Sequence, residues 1–173
     1  MTTARHILPP ALAMSAIVLV SNLLVQFPIN PWLTWGAFSY PVAYFVTDVC
    51  NRTSGPSVAR RVAWVGFAVG LILSVIFAPL RIALASGTAF IVSQLLDVSI
   101  FNRLRQKTWW QAPLFGSAAA SIVDTSLFFS IAFAGSAIAW LPLAAGDLGV
   151  KLFMALALLP PYRLLVTQLA GRN

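Results

Sequence analysis

Apolar runs long enough to cross a bilayer follow one another almost without pause along this chain, and the basic residues collect in the short polar stretches between them. A helix needs ~20 mostly apolar residues to cross the hydrocarbon core. Six stretches approach that length: about Pro10–Phe27, Trp32–Cys50, Val62–Leu80, the run from Arg81 to Phe101, Leu114–Ala134 and Asp147–Leu169. Composition supports the same reading. Only 9% of the residues are charged, 60% are hydrophobic, and the mean hydropathy is +0.88. A soluble domain carries about 25% charged residues, so this chain lacks the charges to cover a water-facing surface. An ordinary soluble enzyme, a disordered tail and a soluble nucleic-acid binder are excluded. The expectation is an all-α integral membrane protein with six transmembrane helices, residues 1–173 forming one domain in contact with the lipid bilayer.

The net charge of +7 arises from eleven basic residues against four aspartates. With six spans, Arg5, Arg52, Arg60, Arg61, Arg103, Arg105, Lys107, Arg163 and Arg172 share one side of the membrane. Arg81 and Lys151 are left for the other side. The positive-inside rule then places both termini in the cytoplasm, and no nucleic-acid partner is expected. Trp32, Trp35, Trp109, Trp110 and Trp140 stand near the expected span ends, as interfacial anchors do. The first run also has the look of a signal peptide, with Arg5 as its basic region, but it is long and no small-residue cleavage pattern follows it. It is read as a retained span.

All four aspartates fall within or at the ends of spans. A carboxylate at the bilayer centre costs ~2.5–3.5 kcal/mol on insertion scales, so such a group faces a bundle interior or a wet cavity. Asp48 lies near the cytoplasmic end of the second span, Asp97 a little deeper in the fourth, Asp124 mid-way along the fifth, and Asp147 at the start of the sixth. Asp48, Asp97 and Asp124 each sit in a polar stripe at helical spacing. Ser86, Phe90, Ser93, Gln94 and Asp97 form one; Ser117, Ser121, Asp124, Thr125 and Phe128 another; Tyr40, Tyr44, Thr47 and Asp48 a third; Ser15, Asn22 and Gln26 a fourth. The stripes converge on one polar, aromatic-lined cavity if they are functional; hydroxyls alone serve equally well to pack helices. Asp147 and Lys151 are four apart with the acid first, which suits a same-helix ion pair. Arg81 is an outer anchor or the positive end of a substrate path.

Pro41 is expected to break the second span and Pro160-Pro161 the sixth. Gly66 and Gly70 are spaced for a close helix contact. Asp48-Val49-Cys50-Asn51-Arg52 resembles the stretch from Asp97 to Asn102-Arg103, at the ends of two parallel spans. The lone Cys50 excludes an internal disulfide, and the lone His6, ahead of the first apolar run, excludes a His-based triad and a histidine metal site. No phosphate-binding loop is present. Membrane phosphotransferases of the CDP-alcohol type share only a Gly-x-x-x-Ala-Arg fragment, Gly55 to Arg60, without their clustered aspartates. No catalytic residues, metal or cofactor are expected.

Together, Thr34-Trp35-Gly36-Ala37-Phe38-Ser39-Tyr40-Pro41, Thr47-Asp48, Asn51-Arg52, Gln94, Leu96-Asp97-Val98, Phe101-Asn102-Arg103-Leu104-Arg105, Trp109-Trp110, Val123-Asp124-Thr125, Phe128-Phe129, Asp147, Lys151 and Pro160 form an ordered pattern from Asn22 to Pro161. The pattern resembles the bacterial queuosine precursor transporters, also called the vitamin uptake transporter family. The link Ala78-Pro79-Leu80-Arg81 is shorter than that family's pattern. The resemblance implies a multi-pass inner-membrane importer of a purine-like substrate, 7-cyano- or 7-aminomethyl-7-deazaguanine, which feeds tRNA modification. For such a ligand the expectation is that Asp97 or Asp124 accepts the paired N–H donors of the guanine-like edge. Gln94 and Asn22 meet the carbonyl and ring nitrogens, and Phe38, Tyr44 or Phe90 stacks on the ring. Asp48 binds a coupling proton or seals the inner gate, and Arg81, Asp147 and Lys151 act in gating or ion pairing. A stand-alone secondary transporter is the leading expectation. The alternative is a binding subunit like the S-components of energy-coupling-factor importers, which needs an ATPase coupling module. A non-transporting scaffold leaves the aspartates unexplained. A homodimer stays open.

Overall fold

The computed structural model describes residues 2–170; Arg172 lies outside the described residues, as do the side chains of Arg5 and His6. The chain is almost wholly helical. Helix α1 runs Thr2–Leu24 and leads into a small hairpin, β1 (Pro28–Asn30) paired antiparallel with β2 (Leu33–Thr34). Then come α2 (Gly36–Ser39), α3 (Pro41–Ser54), α4 (Pro56–Phe77), α5 (Leu80–Leu104), α6 (Gln111–Phe133), α7 (Trp140–Ala157) and α8 (Leu159–Ala170). Among the described residues, five helices are long and apolar enough to cross a membrane: α1 from Ile7, α4, α5, α6 and α7.

The second predicted span is the exception. Pro41 occupies the first turn of α3, where its missing N–H costs nothing, rather than breaking a helix from within. The backbone through Tyr40 stays helical, with Tyr40 N–H bonded to Gly36 O and Ala43 N–H to Tyr40 O. Gly36–Ser54 is therefore one jointed helical run, roughly 28 Å long at 1.5 Å per residue. The sixth predicted span also needs correction. Trp140 and Pro142, expected in a connection, belong to α7, and Asp147 lies two turns inside that helix instead of opening it. The end falls at Leu158, because Pro160 and Pro161 cannot donate to the turn before them; α8 is a separate helix.

The layout is inverted relative to a soluble protein. Leu12, Ile72, Ile76, Leu84, Ile122, Leu141 and Phe153 are exposed on the outside, while Thr47, Asn51, Gln94, Asp97, Ser121 and Lys151 are buried. Alanines fill the helix contacts: Ala59, Ala63, Ala83, Ala85, Ala112 and Ala120 are fully covered. The pairing of α5 with α6 is the most extensive, followed by α1 with α4. A Cβ on Gly66 would overlap the Met14 side chain, and one on Gly70 would overlap Val18, so these glycines set the close approach of α1 and α4. Gly55 joins α3 to α4 at φ +89°, a conformation that glycine adopts without steric cost.

The two similar stretches stand side by side. Helices α3 and α5 run parallel, joined by Thr47 Oγ1 donating to Gln94 Oε1 (2.6 Å) and Asn51 Nδ2 donating to Val98 O (3.2 Å). At their ends Arg52 Nη1 donates to Arg105 O (2.8 Å) and Arg105 Nη2 returns to Arg52 O (2.9 Å). Arg52 also donates from Nε to the Tyr162 hydroxyl (3.0 Å) and lies over the Phe101 ring, tying α8 to this junction.

Candidate functional site

Polar side chains that cannot reach water inside a membrane must satisfy one another. They do so here in two clusters, one on each side of Lys151.

The cluster on the hairpin side begins at the end of α1; it is called outer, and the other inner, after the orientation expected from the basic loops. Asn22 donates to Ser74 Oγ of α4, and its Oδ1 accepts from Ser86 Oγ of α5 (3.0 Å) and from the Tyr40 hydroxyl (3.4 Å). The Tyr40 and Ser86 hydroxyls bond to each other at 2.7 Å. Tyr40 presents its ring to the Lys151 ammonium, 5.6 Å from the ring centre. Lys151, 3% exposed, donates to Asp124 Oδ2 of α6 (2.7 Å) and to Asp147 Oδ2 one turn earlier on α7 (2.5 Å). Thr125 Oγ1 also donates to Asp147 Oδ2 (2.7 Å), and Ser93 Oγ of α5 to Asp124 Oδ1 (3.3 Å). The expected Asp147–Lys151 pair is thus present, with Asp124 as a third member. A lone buried ammonium would be prohibitive; two carboxylates and the Tyr40 face offset its desolvation.

Asn22, Tyr40, Ser86, Asp124, Asp147 and Lys151 line a cavity of about 30 Å³, together with Val25, Thr34, Gly36, Ala89, Phe128 and Phe129. That is space for roughly two waters. The hairpin contributes Thr34 to the lining and packs closely on α7, where a Cβ on Gly146 would overlap the Trp32 carbonyl. Ligand pockets usually span about 300 Å³ or more, so the protein is closed around this site.

The inner cavity, about 10 Å³, is lined by Pro41, Tyr44, Phe45, Asp48, Pro113, Ser117, Ser121, Ala155, Leu158, Leu159 and Tyr162, and again by Lys151. Lys151 therefore forms part of the wall between the two. Ser117 Oγ donates to Asp48 Oδ2 (3.2 Å). Asp97 of α5 meets α6 one residue earlier, at Gly116, where a Cβ would come within 2.6 Å of its Oδ1.

The predicted site residues thus divide. Asn22, Asp124, Asp147 and Lys151 meet at the outer cavity, Tyr44 and Asp48 at the inner one. The single cavity expected from the four stripes is two. Asp97 lines neither and sits between α3 and α6; Gln94 is committed to Thr47. Phe90 is buried edge-on to Tyr40, 6.5 Å between centres, and Phe38 is 38% exposed beside Trp35. Arg81 is exposed and donates to the Ile131 and Ala134 carbonyls, which caps the end of α6. Tyr40, Ser86, Phe129 and Arg52 were not among the expected site residues. Tyr40 and Ser86 stood in the polar stripes, whereas Phe129 is one residue off its stripe and had no periodic signal.

Charged groups held between helices, around closed cavities in a bundle with an apolar exterior, define a membrane transport protein. The chain belongs to the family described as "Putative vitamin uptake transporter", matched over residues 34–80 and 74–165. The two matched parts meet at the short link between α4 and α5. The chain is 35% identical to the "Probable queuosine precursor transporter" of Haemophilus influenzae, over 84% of this chain and 79% of that one. It is 33% identical to the "Queuosine precursor transporter" of Escherichia coli, over 90% and 84%. It is 30% identical to the "Probable queuosine precursor transporter" of Bacillus subtilis, over 73% and 69%. No solved structure matches the chain.

Proposed function

We propose that this protein imports queuosine precursors, 7-deazaguanines carrying a cyano or aminomethyl group, across the bacterial inner membrane as a stand-alone secondary transporter. The observation that carries the reading is the outer cavity, where Asn22, Tyr40, Ser86, Asp124, Asp147 and Lys151 meet beside Phe128 and Phe129. A deazaguanine presents adjacent N–H donors, a carbonyl and a flat ring. Asp124 is the acceptor for the paired donors, since a carboxylate takes two N–H groups side by side. Lys151 is the donor for the carbonyl, and Phe128 or Phe129 supplies a ring face. The similarity to three queuosine precursor transporters points to the same substrate class.

In this reading the jointed run α2–α3 is the sixth crossing, with α1, α4, α5, α6 and α7. Both termini are then cytoplasmic, Arg52, Arg60, Arg61, Arg103, Arg105 and Lys107 lie inside, and the hairpin and Arg81 lie outside. Because the closed cavities cannot hold a base, transport requires opening between the hairpin and α7 on one side and between α3, α6 and α8 on the other.

The test is uptake of both labelled 7-deazaguanines into bacteria that neither make nor import them and that lack any coupling ATPase. Wild type accumulates label, and Asp124→Asn loses it at normal expression. Well-inserted wild type that accumulates nothing there, but does so when a coupling module is supplied, would establish the S-component alternative.

A further inference from the structure

Asp97 is fully buried, and neither carboxylate oxygen receives a hydrogen bond from any described residue. A second buried carboxyl, Asp48, stands beside it: adjacent residues of α6 touch the two, Gly116 at Asp97 and Ser117 at Asp48, and Asp48 Oδ1 is also without a partner. Among the described residues Ser117 supplies the single donor to this pair, on Asp48 Oδ2. Ser121, 1% exposed, lines the same small cavity as Asp48 with an unpartnered hydroxyl. Two neighbouring carboxylates removed from water repel each other, and a proton shared between them relieves that repulsion. A shared proton satisfies an oxygen on each side and leaves the pair with one negative charge.

We propose that Asp48 and Asp97 form a proton-binding carboxyl pair on the inner side of Lys151, and that its proton is the coupling ion for transport. The coupling part rests on the import reading above. One proton binds between the two oxygens when the pair communicates with the outside. It leaves when the inner side opens, and the pair passes from one negative charge to two. Release is supported by Arg52, one turn along α3 from Asp48, whose buried Nη2 has no partner in the closed state. The other titratable groups around the pair are Tyr44 on α3, Lys151 on α7 and Tyr162 on α8, with Asp124 next along α6. Helix α5 contributes Asp97 itself, and α4 brings only the exposed Arg60 and Arg61 near its start.

The experiment uses purified full-length protein in proteoliposomes with labelled 7-cyano-7-deazaguanine. An inward proton gradient should raise wild-type accumulation several-fold over gradient-free exchange. Asp97→Asn and Asp48→Asn should lose that gain, and whatever exchange remains in them should be flat with pH. An unchanged gain in both variants, or accumulation driven by sodium and indifferent to protons, overturns the proposal. Infrared spectra give a reading that does not depend on substrate. With four aspartates and no glutamate in the chain, wild type at neutral pH should show a protonated-carboxyl stretch that shifts in D2O and is missing in Asp97→Asn. Should neither variant fold, absence of that band from wild type alone overturns the proposal. Absence of both binding and exchange in wild type would refute the substrate reading, while the band would still decide the proton site.

Discussion

Lys151 shows how one side chain organises a membrane interior. It holds Asp124 and Asp147, faces Tyr40, and borders both cavities. Replacing it with Met leaves the buried Asp124 and the half-buried Asp147 without their cation, which should cost about 3–5 kcal/mol. The loss should appear as a lower unfolding temperature in detergent, and adding Asp124→Asn should recover part of it because the two substitutions are coupled. Gly116 gives a second residue-scale prediction. Its missing Cβ leaves room for the Asp97 carboxyl, so Gly116→Ala should destabilise by ~1–3 kcal/mol. Asp97→Ala in the same chain should relieve that cost, as thermal unfolding of the single and double variants would show. The sequence already placed Lys151 with Asp147, because residues four apart share a helix face. It could not place Asp124, 27 positions away, since that contact depends on how α6 and α7 meet.

At the level of elements, prolines and glycines acted through position rather than identity. Pro41 begins a helix and Pro160-Pro161 separates two, although the same chemistry applies to each. The spacing of Gly66 and Gly70 was legible as a contact stripe; that α1 is the partner was not. Gly66→Leu should drive α1 from α4 and lower stability by at least ~1–3 kcal/mol, measured by the same thermal assay. The Arg52–Arg105 clasp explains why two similar stretches close parallel helices. Each guanidinium reaches the other helix's last carbonyls, a fork that lysine cannot reproduce. Arg52→Lys should therefore weaken the joint of α3, α5 and α8 by ~1–3 kcal/mol, with limited proteolysis at the start of α8 rising accordingly.

For the whole molecule, the arrangement in the membrane is open to a direct check. In a Cys50→Ala background, single cysteines replacing Arg61 or Lys107 should react with an impermeant reagent only in inside-out vesicles. Cysteines at Ile29 or Ile138 should react in intact spheroplasts. Labelling of Ile29 and Lys107 from the same side would refute six crossings. What the sequence determined by itself is the class of molecule: apolar runs of spanning length, basic loops and intramembrane aspartates follow from chemistry written residue by residue. Helical spacing further determined which polar residues share a face. Only the tertiary structure decided how those faces meet. It set Asp124 on Lys151, put Asp97 against Gly116 instead of in the outer cavity, assigned Arg81 to the end of α6, and split one expected cavity into two. The physical reason is that periodicity sets direction around one helix axis, whereas distances between helices are set by packing, through small residues such as Gly116 and Gly146 whose close contacts leave no mark in the spacing.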